Sequence, residues 1–301
     1  MPRLNPAGTR SGPTPRPASD PPPSEPAPSE PASSDRPGAD RPSPDRPGPG
    51  RAGAGRSGAG SPVPGARTGF GVPLFAHPLV APAEWAELAR PGAPVDWAAF
   101  DVSAGPGSRS DPLYAEALGR VRENGVPLLG RLDAVYGTRP YGELVTDASR
   151  YLDWYRVDGF YLDRAPTLRA ETAECRRTAA TLRALLPDGG RVVLAPGAHP
   201  YPGYAEFADQ LVVFAGPWTR YRWSEVPQWT AAYPPGLFAH LVHGLPATHL
   251  DAALRIARWQ GAGTVYMTDR TDRDGADPWA GLAGYWSEAV RRVREEPSPS
   301  M

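Results

Sequence analysis

The chain has 301 residues and a formal charge of −1, with 33 acidic residues against 32 basic ones. Such a balance argues against a nucleic-acid binder, which carries a strong basic footprint. A single cysteine, Cys175, rules out an intrachain disulfide and a thiolate metal cluster, and no run of about 18 apolar residues is present to cross a membrane.

Residues 1–66 form one compositional block, with 18 of the 40 prolines and no aromatic residue before Phe70. A segment of this kind buries too little apolar surface to offset its ordering entropy. It is predicted to be a disordered, partly polyproline-II tail that could dock a proline-reading module. The opening "MPRLNPAGTR" lacks the apolar core of a secretory signal. The expectation is a cytoplasmic chain, or a secreted one if translation starts elsewhere or export is unconventional. Residues 297–301 form a second short tail.

From Phe70 the texture changes. Eight short apolar runs follow, at 70–77, 95–103, 126–135, 157–164, 191–198, 210–216, 237–244 and 263–269. They are apolar on both faces and rich in Val, Leu and aromatic residues, as buried parallel strands are. Helical patterns lie between them. "DPLYAEALGRVRENG" has an Asp cap, a first-turn proline and a closing glycine. Apolar positions three or four apart recur in "YGELVTDASRYLDWYR", "LRAETAECRRTAATLRALLPDGG" and "DAALRIARWQGAG". "DPWAGLAGYWSEAVRRVREE" is predicted as the last helix, opened by Asp277-Pro278; weaker ones are predicted near 82–90, 201–208 and 223–232. Eight strand–helix units within residues 67–296 predict a (β/α)8 barrel of the α/β class. A doubly wound sheet is the alternative, but no glycine-rich phosphate loop follows the first strand.

In such a barrel the site is built at the C-terminal strand ends. Those ends offer His77, Asp101, Asp133 with Tyr136 and Arg139, Asp163 with Arg164, His199 with Tyr201 and Tyr204, then Trp218, His243 and Asp269. Carboxylates and aromatic rings on one rim suit a sugar: rings stack on pyranose faces, and paired carboxyls perform glycosidic acid–base work. Asp163 and Asp133, on neighbouring strands, are the predicted catalytic pair. The histidines lack metal-type spacing, no Gly-x-Ser-x-Gly elbow or P-loop occurs, and no cofactor or metal is implied.

Residues 70 to about 293 resemble spherulin-4-like proteins, the spherulation-specific family 4, which includes glycoside hydrolases acting on galactosamine-containing polysaccharides. "PLFAHPLVAPAEW" resembles the family's opening strand, with His77 in place of a tyrosine. "DVSAGPG", "VYGTRP", "DASRYLDWYRVDGFYLDRAP", "LAPGAHP", "VVFAGPW" and "VYMTDR" with "GLAGYW" carry the rest of the likeness. The resemblance implies a barrel with an Asp-Glu pair after strand four and a glutamate ending strand six. Asp163 matches the aspartate, but Arg164 and Ala215 stand where the glutamates would be. Arginine holds its proton to a pKa above about 12 and cannot act as the acid.

Three readings follow. In the first, Asp163 and Asp133 form a rewired hydrolytic pair, with Asp101 or Asp269 as substitutes and Tyr136, Tyr204 and Trp218 lining sugar subsites. In the second, the groove binds carbohydrate without cleaving it, and Arg164 contacts an anionic or hydroxyl-rich ligand. In the third, the barrel is a scaffold and the proline-rich tail recruits a partner.

Overall fold

The computed structural model describes residues 67–187 and 190–295; both predicted tails lie outside the described residues. Eight strands occupy the eight apolar runs: β1 (Gly69–Pro73), β2 (Val95–Phe100), β3 (Leu128–Asp133), β4 (Gly159–Asp163), β5 (Arg191–Ala195), β6 (Gln210–Pro217), β7 (Phe238–His243) and β8 (Thr264–Met267). Every neighbouring pair is parallel, and β1 also pairs with β8, so the sheet closes on itself in chain order. The result is a (β/α)8 barrel. Among the described residues no helix is long and apolar enough to cross a membrane.

The helices α1 (Pro82–Leu88), α2 (Pro112–Glu123), α3 (Tyr141–Tyr155), α4 (Thr172–Leu185), α5 (Trp218–Tyr221), α6 (Leu250–Trp259) and α7 (Trp286–Arg294) connect the strands. Asp111 accepts the Leu113 N–H and Pro112 opens α2, as its sequence signals. Arg156 ends α3 in the left-handed conformation. Three predicted helices differ. The 201–208 stretch makes only a 3-10 turn at Pro202–Glu206, and 223–232 only one at Gln228–Ala232. The last helix starts at Trp286, nine residues after Asp277. Gly281 and Gly284 lie in the intervening stretch, where Arg270 and Asp269 pack so close that a Cβ would clash.

The barrel floor is polar but closed. Trp97 of β2 donates across the interior to Gln210 of β6 at 2.6 Å, Gln210 donates to Thr264 of β8 at 2.9 Å, and Thr264 donates to Asp96 at 2.5 Å. Buried polar groups survive when each finds a partner. The Trp97 indole needs room, and Gly71 of β1 supplies it: a Cβ there would lie 2.2 Å from the ring. Above it the Tyr161 ring stands 5.5 Å from Trp97 and 6.4 Å from Phe75, so aromatic rings rise from the floor to the mouth.

Candidate carbohydrate site at the barrel mouth

Strand side chains alternate between faces. Arg131 and Asp133 therefore share one face of β3, and Tyr161 and Asp163 one face of β4, with Asp133 in register with Asp163 and Arg131 with Tyr161. Arg131 is the hub. Its Nε and Nη2 donate to one Asp163 oxygen, Oδ2, at 2.8 and 2.6 Å, and its Nη1 donates to Asp101 Oδ2 at 2.6 Å. The guanidinium lies 4.8 Å above the Phe75 ring. Burial alone would lower its proton affinity, but the two carboxylates outweigh that and hold its pKa above the ordinary arginine value.

The second oxygen of Asp163 accepts the Arg164 backbone N–H at 2.9 Å. Asp133 is committed in the same way. Its Oδ1 accepts from Val135 N at 3.0 Å and Arg164 Nε at 2.8 Å, and its Oδ2 accepts from Arg164 Nη2. Burial pushes the Asp133 carboxyl up, yet the Arg164 hydrogen bond, the Val135 N–H and two guanidinium charges together hold it below the usual carboxylate range. Each of these carboxyls thus has an N–H donor on both oxygens.

Backbone strain concentrates here. Val135, Tyr136 and Arg164 have φ of 46°, 55° and 47°. A β-branched residue at positive φ is unusual and costs roughly 1–3 kcal/mol. The β3 and β4 loops hold one another in place: Ala134 N–H donates to Asp163 O at 2.8 Å, and Tyr136 N–H to Arg164 O at 2.7 Å. The Tyr136 ring, half exposed, carries the Arg164 guanidinium 5.6 Å from its centroid.

A cavity of about 420 Å³ opens above this cluster, within the size range of small-ligand pockets. Asp163, Arg164 and Tyr136 line it, together with Phe75, Arg131, Tyr161, Gly197, Ala215, Asp277 and Trp279. At the end of β6 the wall is the Ala215 methyl. Gly197, at φ 70°, sits against it, where its own Cβ would come 3.3 Å from that of Ala215.

The other predicted site residues lie elsewhere. Asp101 and Asp133 stand behind the cavity wall, joined to it through the two arginines. Arg139 ties the β3 loop to Asp147 of α3. His77 accepts the Leu79 N–H on Nδ1 at 3.0 Å, so its Nε2 carries the hydrogen donated to Asp111 at 3.0 Å; it braces the start of α2. That hydrogen bond holds the Asp111 carboxyl below its usual range. Tyr204 is fully buried and donates to Leu168 O at 3.1 Å. Trp218 is buried, with its ring 6.3 Å from Tyr221 and 5.7 Å from His249. Asp269 accepts the Gly284 N–H and lines a separate groove beside α1 and α7. His199 packs edge-on to Trp229 at 6.3 Å and His243 edge-on to Trp279 at 5.5 Å; burial lowers the pKa of both. Among the described residues no group of His, Cys, Asp and Glu is placed to hold a metal ion.

Several residues that line the cavity were not among the predicted ones, among them Phe75, Tyr161, Arg131, Asp277 and Trp279. Arg131 lies two positions before Asp133, and that spacing on a strand was the available signal. Asp277 and Trp279 sit in the stretch predicted as helix. Instead Asp277 Oδ1 accepts the Trp279 N–H at 2.9 Å, and Trp279 O accepts the Phe75 N–H at 3.1 Å, which fixes the loop to the end of β1.

Comparison with known proteins places this geometry in a family. The profile of spherulation-specific family 4 matches residues 70–293. The chain belongs to that family. Spherulin-4 of Physarum polycephalum is 27% identical over 147 residues, covering 48% of this chain and 43% of that protein, so the chain matches less than half the length of this curated relative. Among solved structures, Aspergillus clavatus Sph3 in complex with GalNAc superposes with a TM-score of 0.63 at 24% identity, covering 75% of this chain and 97% of that one. At that identity the likeness establishes a shared barrel. The family match covers every strand of the barrel and both loops that carry Asp133 and Asp163.

Proposed function

We propose that the mouth of this spherulation-specific family 4 barrel binds a galactosamine- or galactose-type polysaccharide and does not cleave it. The observation that carries this reading is the state of the two strand-end carboxyls. Hydrolysis of a glycosidic bond uses one carboxyl to protonate the leaving oxygen and a second to attack or to activate water. Here Asp163 is held by Arg131 and by the Arg164 N–H, and Asp133 by Arg164 and the Val135 N–H. A proton on any of those oxygens would meet an N–H donor already in place. The positions that would carry the family's glutamates hold a cation that donates to Asp133 and a methyl group.

What remains suits binding. Tyr136 and Trp279 bring aromatic rings to the cavity, and Tyr161 and Phe75 line it as well. Aromatic walls with a few fixed polar groups are the ordinary composition of a sugar pocket. The GalNAc bound by Aspergillus clavatus Sph3 supports the choice of sugar class.

The test is affinity electrophoresis of the full chain through gels containing a galactosamine–galactose polymer or a neutral glucan. Retardation is expected in the first gel alone, and Tyr136→Ala weakens it about tenfold, since a stacked ring is worth roughly 1–1.5 kcal/mol. Equal migration in both gels would remove the reading.

A further inference from the structure

The mouth has an uneven charge arrangement. The strand-end cluster contains three carboxylates, Asp101, Asp133 and Asp163, and two guanidiniums, Arg131 and Arg164, and each guanidinium already donates to a carboxylate. Asp277 is different. It lines the same cavity, it is exposed, and among the described residues no arginine pairs with it. One oxygen accepts the Trp279 backbone N–H at 2.9 Å, which ties the carboxylate to the loop that also brings Trp279 to the cavity.

That indole is a rigid surface. Its ring packs 5.5 Å from His243 and 6.1 Å from Tyr266, and its carbonyl is bonded to Phe75. A carboxylate and an aromatic ring lining one cavity suit an organic cation, because the ring quadrupole and the anion attract the same charge. An anionic ligand at this wall would meet the Asp277 carboxylate, while the two guanidiniums that line the cavity already donate to carboxylates.

We infer that the Asp277–Trp279 wall makes the mouth select a polysaccharide bearing free, protonated primary amines over the same polymer in N-acetylated form. The inference rests on the carbohydrate reading above and adds the charge state of the sugar. An ammonium on a pyranose ring would lie against the Trp279 face and contact Asp277, while the ring itself stacks in the cavity. An N-acetyl group removes the positive charge and adds bulk, so both attractions vanish.

The experiment compares one galactosamine polymer in two forms, chemically de-N-acetylated and then re-N-acetylated, so that length and linkage are shared. Binding to the full chain is measured by titration at low and at high salt. The amine form is expected to bind about five- to tenfold tighter at low salt, in line with one partly exposed ion pair and one cation–aromatic contact. The advantage shrinks at high salt because exposed charges are screened. Asp277→Asn keeps an oxygen for the Trp279 backbone N–H, so the loop holds, and it is expected to erase the preference for the amine form. Trp279→Phe, which keeps a smaller ring, should reduce the preference without abolishing it. Equal binding of the two forms by the unaltered chain overturns this inference alone. A preference that survives Asp277→Asn and is indifferent to salt also overturns it. Absence of binding by either form removes the carbohydrate reading and this inference with it.

Discussion

Replacing Arg131 by methionine should destabilise the barrel by about 2–4 kcal/mol, since breaking a buried ion pair strands the partner charges. Arg131 and its partners are mostly buried, with 23% of the Arg131 side chain exposed against 21% for Asp163 and 12% for Asp101. Methionine fills a similar volume but removes all three N–H donors. Asp163 and Asp101 then face each other without a cation, and one oxygen of each loses its partner. If the loss is electrostatic, adding Asp101→Asn and Asp163→Asn to the methionine variant should restore most of it. Urea unfolding of the single and triple variants measures both effects. A single variant within about 1 kcal/mol of the natural chain would mean that Arg131 is not the hub that the geometry indicates.

Acid should weaken the fold well before the carboxylates titrate. His240 of β7 is buried between the sheet and α5, with Nδ1 2.8 Å from the Tyr221 hydroxyl. Burial, and to a lesser degree the nearby His199, lowers its pKa from the usual 6.5 to about 3. The unfolded chain therefore binds a proton between those values while the folded chain does not. The contribution to stability is complete above pH 6.5 and is lost as pH falls toward 3. At about 1.4 kcal/mol per pH unit, the loss between pH 6.5 and 4.5 is about 2–3 kcal/mol from this residue. His199 and His243 are shifted in the same direction and add to it. Asp96, whose pKa burial raises, works the other way near the low end of the range. Thermal unfolding at pH 7, 6, 5 and 4.5 should show the decline, and His240→Asn should flatten it. A profile level from pH 7 to 4.5 would contradict the assignment.

Much of the fold could be read from the chain. The eight runs apolar on both faces became the eight strands because a strand covered by a barrel interior and by helices has no polar side. Acids at strand ends were legible for the same reason. Their partners were not. Arg131 interrupts the apolar run of β3, and only closure of the sheet shows that it points inward at Asp163 and Asp101. Tyr204 and Trp218 follow strand ends, as rim aromatics would, yet both are buried, because short helical turns fold them back beneath the surface. Asp277-Pro278 carries a helix-opening signal that tertiary packing overrides. The close approach of Arg270 to Gly281 and of Asp269 to Gly284 keeps that stretch as a loop and leaves Asp277 and Trp279 at the cavity.

The same logic explains why Arg164 is informative. It replaces an expected acid, adopts a strained φ of 47°, and donates to the acid of the neighbouring strand. A residue held at that cost by two flanking loops belongs to the design of the mouth, and its guanidinium occupies Asp133 rather than facing a ligand freely.

On the proposed reading the mouth holds sugar without breaking it. The most direct measurement incubates the full chain with a galactosamine–galactose polymer that it demonstrably retains, and follows new reducing ends over many hours. Retention with no reducing ends above the protein-free control is the expected result. Release that rises with protein concentration and disappears in Asp163→Asn would contradict it.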